Sequence, residues 1–136
     1  MVKCSSDITT YEFEKGSVIS YYSFKDCSLL NEVIFNIDLL DEEYREILST
    51  NGYGPATPNL ELIRLNCKIN YSLEKALFNY YSYYSGSPEK IKTIILDENC
   101  QILSSNVFKF FKNTNIYVNQ YKEDVMWDHD YPNWNN

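Results

Sequence analysis

The only histidine is the first place where the chain offers chemistry. His129 lies between Asp128 and Asp130, and imidazole and carboxylate groups are the types that bind metal ions or transfer protons. Neighbouring residues of an extended chain point to opposite faces, so this tripeptide does not present three ligands to one ion without an irregular turn. No second histidine exists to complete a metal site or a catalytic pair. We therefore predict no metal ion and no catalytic residue.

Four cysteines lie at positions 4, 27, 67 and 100. None forms a Cys-x-x-Cys pair or has the histidine nearby, which argues against a zinc site. The sequence contains no run of about 18 apolar residues that would span a membrane, and its first residues lack the apolar core of a secretory signal. These features predict a cytoplasmic protein in which all four cysteines are thiols.

The four glycines form none of the sequence motifs that bind phosphate groups. Gly-x-Gly-x-x-Gly and the P-loop are absent, as are Gly-x-Ser-x-Gly and His-Glu-x-x-His. We accordingly expect no cofactor and no enzymatic activity. A small enzyme with an unrecognised site remains an alternative, because paired carboxylates can act in catalysis without a motif.

Aromatic residues are the first feature that indicates protein binding. Residues 78–84 contain five aromatic residues in seven positions, and the apolar face of one helix can bury about three of them. Phe78, Tyr81 or Tyr83 is therefore expected at the flank or outside. Residues 51–58 hold two glycines and two prolines, so they predict a loop with Tyr53 at its tip. Exposed tyrosines are frequent anchors of protein interfaces.

Acidity is the second feature that indicates protein binding. The net charge is −7 and the pI about 4.6, which argues against nucleic acid or an anionic membrane as the partner. The acids occur in groups and favour a basic protein partner, whose encounter they would accelerate. The predicted partner-binding residues are these acids and the exposed aromatic residues: Asp41, Glu42, Glu43, Glu46, Tyr53, Tyr81, Tyr83, Asp124, Asp128, Asp130 and Trp134.

The elements that position these residues follow from hydrophobic periodicity. Residues 63–71 alternate apolar and polar side chains without interruption, which predicts a half-buried strand with Ile63, Leu65, Cys67 and Ile69 inside. Turn residues between apolar runs predict two antiparallel hairpins. The hairpins cover 9–24 and 91–103, further strands cover 33–39 and 116–121, and helices begin at Asp41, at Ser72 and at Ser104 or Ser105.

These elements predict an α+β fold in a single domain. Its sheet is mainly antiparallel with about five to seven strands, it carries two or three short helices, and we find no internal repeat. The domain covers residues 1–122. Residues 123–136 form an acidic tail that contains both tryptophans and is expected to pack on the domain.

A small, acidic chain rich in tyrosine and asparagine, with an α+β pattern, resembles the immunity proteins of bacterial polymorphic-toxin and contact-dependent growth inhibition systems. The resemblance is one of size and composition over the whole chain, and no motif or residue role carries over. It implies an inhibitor, monomeric or homodimeric, that binds and neutralises one cognate toxin, often a nuclease with a basic cleft. The alternatives are an inhibitor of a host factor encoded by a phage or virus, and the small enzyme considered above.

Overall fold

Within the described residues, nine strands form two sheets, and every pair of neighbouring strands is parallel. The computed structural model describes residues 7–16, 27–45, 47–48, 57, 59–78 and 88–119, together with the backbone of 134–135. The strands in chain order are β1 Thr10–Glu14, β2 Glu32–Asn36, β3 Leu39–Leu40, β4 Leu62–Leu65, β5 Lys68–Ile69, β6 Thr93–Leu96, β7 Gln101–Ile102, β8 Asn115–Val118 and β9 Trp134–Asn135. The large sheet has the order β1-β2-β4-β6-β8-β9 and the small sheet the order β3-β5-β7.

The chain winds through these sheets in stacked turns. The first turn carries β1, the second β2 and β3, the third β4 and β5, the fourth β6 and β7, and the fifth β8. Glu32, Leu62 and Thr93 pair in register, so equivalent positions recur after 30 and 31 residues. This arrangement is a solenoid, in which each turn contacts its neighbours and shares one core with them. The predicted antiparallel sheet and the predicted absence of a repeat are both wrong.

A short apolar pattern explains why each turn makes a strand at this place. The second, third and fourth turns each have one apolar residue three positions before a pair of inward-pointing strand residues. The triplets are Leu30, Val33 and Phe35; Leu60, Ile63 and Leu65; and Ile91, Ile94 and Leu96, all of them buried. Because the strands are in register, these side chains stack in rows and form one core with the inward side chains of the small sheet.

The predicted strand at 63–71 is confirmed in its burial but not in its continuity. Ile63, Leu65, Cys67 and Ile69 are all buried. The segment is nevertheless divided between β4 in the large sheet and β5 in the small sheet, because the chain bends at Asn66 and Cys67. The alternation of apolar and polar side chains continues through the bend, so the sequence pattern alone does not reveal the bend.

The predicted hairpin over 9–24 lies partly outside the described residues, and the predicted hairpin over 91–103 is wrong. β1 pairs in parallel with β2, and residues 18–24, the expected return strand, lie outside the described residues. In the second case a turn closes where the backbone N–H of Cys100 donates to the carbonyl of Asp97 (3.0 Å), but β6 and β7 belong to different sheets. β6 receives its ladder hydrogen bonds from β4 and β8, in the preceding and following turns of the solenoid, rather than from β7.

Helix is much shorter than predicted. Within the described residues the only α-helix is α1, Leu73–Leu77, and two single 3₁₀ turns cover Glu42–Tyr44 and Pro88–Lys90. Asp41 is confirmed as an N-cap, since its Oδ1 accepts the backbone N–H of Glu43 (3.0 Å). Ser72 makes no such bond with its side chain. Residues 105–110 form turns rather than the predicted helix. No helix among the described residues has the length and apolar character that a membrane crossing requires.

The cysteines differ from the expectation that all four are thiols. Cys27 is bound in a disulfide, whereas Cys67 and Cys100 are buried thiols. Disulfides persist mainly in oxidising compartments, so this bond does not agree with the predicted reducing environment.

We therefore expect a difference in labelling between these cysteines. When the purified protein is unfolded without a reductant, iodoacetamide should alkylate Cys67 and Cys100 but not Cys27, because only a thiolate reacts. After reduction, Cys27 should be alkylated as well. Peptide mass spectrometry measures the extent of labelling at each site. Full alkylation of Cys27 before reduction would contradict the disulfide.

Candidate protein-binding surface

The side chains that point away from the core on the large sheet form a continuous surface, which we call the outer face. Parallel strands in register bring equivalent residues side by side. The middle row of the outer face consists, from β1 to β8, of Glu12, Ile34, Arg64, Ile95 and Tyr117. The rows on either side include Thr10, Glu14, Glu32, Asn36, Leu62, Thr93 and Asn115.

One end of the outer face is acidic. Glu12 and Glu14 project from the same side of β1, and Glu32 follows on β2, where its Oε2 accepts the hydroxyl of Thr10 (3.2 Å). A hydrogen bond between the side chains of Glu12 and Glu14 raises the pKa of Glu12, and slight burial and the charge of Glu14 add to this. Carboxylates crowded in this way are stabilised by a positive charge, so this end favours a basic group of a partner.

The cause of the raised pKa of Glu12 can be tested directly. Replacing Glu14 by alanine removes the hydrogen-bond partner and the neighbouring negative charge together, and we expect the pKa of Glu12 to fall toward its ordinary value. Carboxyl chemical shifts followed by NMR across the acidic pH range measure this. Because the folded protein holds the Glu12 proton more tightly than the unfolded chain, this group stabilises the fold as the pH falls through its folded pKa. An unchanged titration of Glu12 in E14A would show that Glu14 is not the cause.

The rest of the middle row is apolar apart from Arg64, and it begins with Ile34 directly beside Glu12. Ile34 and Ile95 are half-buried, Tyr117 is 42% exposed, and Leu62 lies in the adjacent row. Outward positions of a sheet are ordinarily polar where they meet water. Aliphatic and aromatic side chains aligned on neighbouring strands are typical of a surface that meets another protein.

A bidentate ion pair separates the two isoleucines. The Nε and one terminal nitrogen of Arg64 donate to the two carboxylate oxygens of Asp97 (3.1 and 2.9 Å). Asn119 also donates to Asp97 (2.9 Å). The hydrogen bonds from Arg64 to Asp97 raise the pKa of Arg64, with burial acting in the opposite direction. The guanidinium is therefore held in one position before any partner arrives, which lowers the entropy lost on binding.

A polar groove lies beside this surface, where the chain bends toward the small sheet. Its volume is about 420 Å³, and Lys15, Asp38, Lys68 and Glu98 contribute charges of both signs to its lining. Lys15 and Asp38 form an exposed ion pair (2.7 Å). Asn66 donates to the Oδ1 of Asn36 and accepts the backbone N–H of Asn99, both at 3.0 Å. Binding pockets for small molecules are mostly apolar, so the outer face is the better candidate site.

No family model, no curated protein and no solved structure matches the chain.

The outer face differs from the surface predicted from the sequence. Asp41, Glu42 and Glu43 lie at the 3₁₀ turn that follows β3, and Tyr44 of this turn contacts Phe13 and Phe35 on the core side of the large sheet. Trp134 lies beside Ile116 through its backbone pairing in β9. The other predicted binding residues lie outside the described residues: Glu46, Tyr53, Tyr81, Tyr83, Asp124, Asp128 and Asp130.

Sequence reasoning missed the residues that form the outer face. The available signal was the pair of isoleucines, Ile34 and Ile95, that interrupt the polar positions of their strands.

The described part of the chain contains no group of three or more His, Cys, Asp or Glu residues arranged to hold a metal ion.

Proposed function

We propose that this chain is a protein-binding inhibitor that engages its partner through the outer face of the large sheet. The observation that supports this most directly is the alignment of Ile34, Ile95 and Tyr117 beside a cluster of three glutamates. Apolar anchors supply the slow dissociation of a complex, and surrounding charges supply fast and selective encounter.

The solenoid makes this surface suitable for recognition. Every outward side chain is carried by a strand that is hydrogen-bonded on both sides or packed on the core, so the surface changes little when a partner binds. Strands in a sheet are about 4.8 Å apart, which makes the outer face roughly 19 Å wide from β1 to β8. That width suits one helix or one loop of a partner.

The partner we propose is a toxin with a basic surface, of the nuclease type, which the chain would neutralise by occupying its cleft. The net charge of −7 and the acidic end of the outer face, Glu12, Glu14 and Glu32, support a basic partner. Under this proposal the chain itself is not an enzyme, needs no cofactor, binds neither nucleic acid nor membrane, and acts in the cytoplasm as a monomer or homodimer.

A second candidate is favoured by one observation. The disulfide at Cys27 is typical of a protein in an oxidising compartment. The same outer face would then serve a binding module that recognises a basic protein outside the cytoplasm. The redox state of Cys27 in protein isolated under acid quenching from its native cells separates the two: a thiol supports the cytoplasmic inhibitor, and a disulfide supports the exported module.

Binding kinetics with the product of the neighbouring gene test the proposal itself. Association and dissociation rates are measured at two salt concentrations for the wild type and for E12Q/E32Q. The double variant should associate more slowly and with a weaker salt dependence, because charge steers encounter. The matched control is E42Q/E43Q, which removes two exposed acids away from the outer face.

The outcomes distinguish the two acidic surfaces. Slower association of E12Q/E32Q alone supports the outer face. Slower association of E42Q/E43Q alone would move the interface to the acids predicted from the sequence. Absence of binding, or binding that is indifferent to salt and to both double variants, contradicts an electrostatically steered inhibitor of this partner.

A further inference from the structure

Cys67 and Cys100 occupy equivalent positions on neighbouring turns of the solenoid. Cys67 follows β4 and precedes β5 in the third turn, and Cys100 follows β6 and precedes β7 in the fourth. Both are thiols, and their residues are 1% and 0% exposed, respectively. The two side chains belong to the same buried core.

The backbone places these residues side by side. Lys68 and Gln101, the residues directly after them, are paired in register, and the backbone N–H of Gln101 donates to the carbonyl of Cys67 (3.2 Å). Neighbouring strands are about 4.8 Å apart, and disulfides join Cα atoms separated by about 4.4–6.8 Å. Because both side chains point into one core, their Cβ atoms lie on the same side.

We propose that Cys67 and Cys100 form a disulfide that joins the third and fourth turns when the protein meets a low-molecular-weight disulfide such as oxidised glutathione. One cysteine thiolate attacks a sulfur of glutathione disulfide, forming a mixed disulfide and releasing one glutathione. The second cysteine thiolate then attacks the protein sulfur of the mixed disulfide and releases the other glutathione. Two protein thiols are oxidised, one glutathione disulfide is reduced to two thiols, and the two cysteine protons pass to the glutathione thiolates.

Burial explains why both cysteines are thiols in the folded structure. Removal from water raises the pKa of Cys67, and the neighbouring Cys100 raises it further. Since the thiolate is the reacting form, exchange is slow in the closed fold and requires the turns to open or to assemble. Where glutathione disulfide is present while the chain folds, the cross-link is therefore expected to form and then to be protected from reduction; protein folded without such a disulfide keeps both thiols.

A bond at this place would hold the two turns together. It closes the chain between residues 67 and 100, and a cross-link over a loop of this length restricts the unfolded chain more than the folded one. Both cysteines also lie along the polar groove, so the cross-link would stiffen the bend between the two sheets.

Refolding in a redox buffer tests the proposal. The full chain is reduced and unfolded, then refolded with a mixture of reduced and oxidised glutathione, quenched with acid and digested without reductant. We expect a linked peptide pair that contains Cys67 and Cys100, lighter than the sum of the two peptides by two hydrogen atoms. The linked protein should unfold at a higher urea concentration than the same protein with Cys67 and Cys100 as thiols.

Two controls keep the result interpretable. Cys67→Ala and Cys100→Ala should each remove the linked pair and leave the other cysteine as a thiol or a glutathione adduct. Because either variant could misfold, the wild type under mild urea is also treated with a bifunctional thiol reagent, which should join the same two residues. Glutathione adducts without the link, links to Cys27 instead, or two unmodified thiols after refolding would each overturn the proposal. None of these outcomes depends on the proposed binding partner.

Discussion

Replacing Phe35 by alanine is expected to lower the free energy of unfolding by about 3–5 kcal/mol, the usual cost of removing a buried phenylalanine ring. Phe35 is 0% exposed and lies on β2. Its ring stacks on that of Phe13 with centroids 4.7 Å apart, and Tyr44 contacts it edge-on at 6.2 Å. The substitution therefore opens a cavity that joins the first turn, the second turn and the 3₁₀ segment. Urea unfolding followed by circular dichroism measures the loss.

The matched control for this prediction is Ile34→Ala, one residue away on the same strand. Ile34 points to the outer face and is only half-buried, so its truncation should cost about 1 kcal/mol or less. Equal losses for the two variants would mean that the strand does not bury Phe35 and expose Ile34 as the structure shows. The comparison thus tests which side of β2 faces the core.

Burial was predictable from the sequence, whereas the direction of strand pairing was not. The alternation at Ile63, Leu65, Cys67 and Ile69 identifies the buried side of the chain. Period-two alternation is the same whether the neighbouring strand is parallel or antiparallel. The pattern therefore gave the correct core and carried no information on the partner strand.

Turn residues do not fix the direction of strand pairing, because a turn need not close a hairpin. Gly16 does adopt a left-handed conformation, with φ of +78°, and the sequence favours a turn there. In a solenoid, however, a turn sends the chain onward around the stack instead of back along the preceding strand.

The repeat was hidden by its uneven length. The repeated motif has apolar residues at its first, fourth and sixth positions. It begins at Leu30, Leu60 and Ile91. The same spacing opens the pattern of leucine-rich repeats. The neighbouring turns are shorter, since Thr10 pairs with Glu32 and Thr93 with Asn115, both after 22 residues. A search of the sequence for one fixed repeat length therefore overlooks the repeat.

Helix length and the binding surface depend on contacts between distant residues. The N-cap at Asp41 was predictable because capping is local. The end of α1 was not: Phe78 is buried with an extended backbone, ψ 148°, so packing on the core overrides the helical periodicity that continues beyond it. The outer face likewise requires the register that joins Ile34, Arg64 and Ile95, and register is absent from any single segment.

Tyr117 is the residue of the outer face whose removal should most weaken binding. Its ring is 42% exposed in the free protein, it lies beside Ile95 in the middle row, and tyrosine is frequent among residues that dominate binding energy. We expect Tyr117→Ala to weaken the complex with the proposed partner by about 2 kcal/mol, a roughly 30-fold higher Kd. Most of the change should appear as faster dissociation, because loss of an uncharged ring leaves electrostatic encounter unaltered.

Phe110→Ala is the matched control, since Phe110 is also 42% exposed but lies in the turn segment between β7 and β8 and not on a strand of the outer face. Its truncation should leave both rate constants within about twofold of the wild type, the range expected for a residue outside an interface. Surface plasmon resonance at one salt concentration gives both rates, and urea unfolding shows that each variant is folded. If Phe110→Ala accelerates dissociation and Tyr117→Ala does not, the partner binds near the turn segment, and the outer face is not the interface.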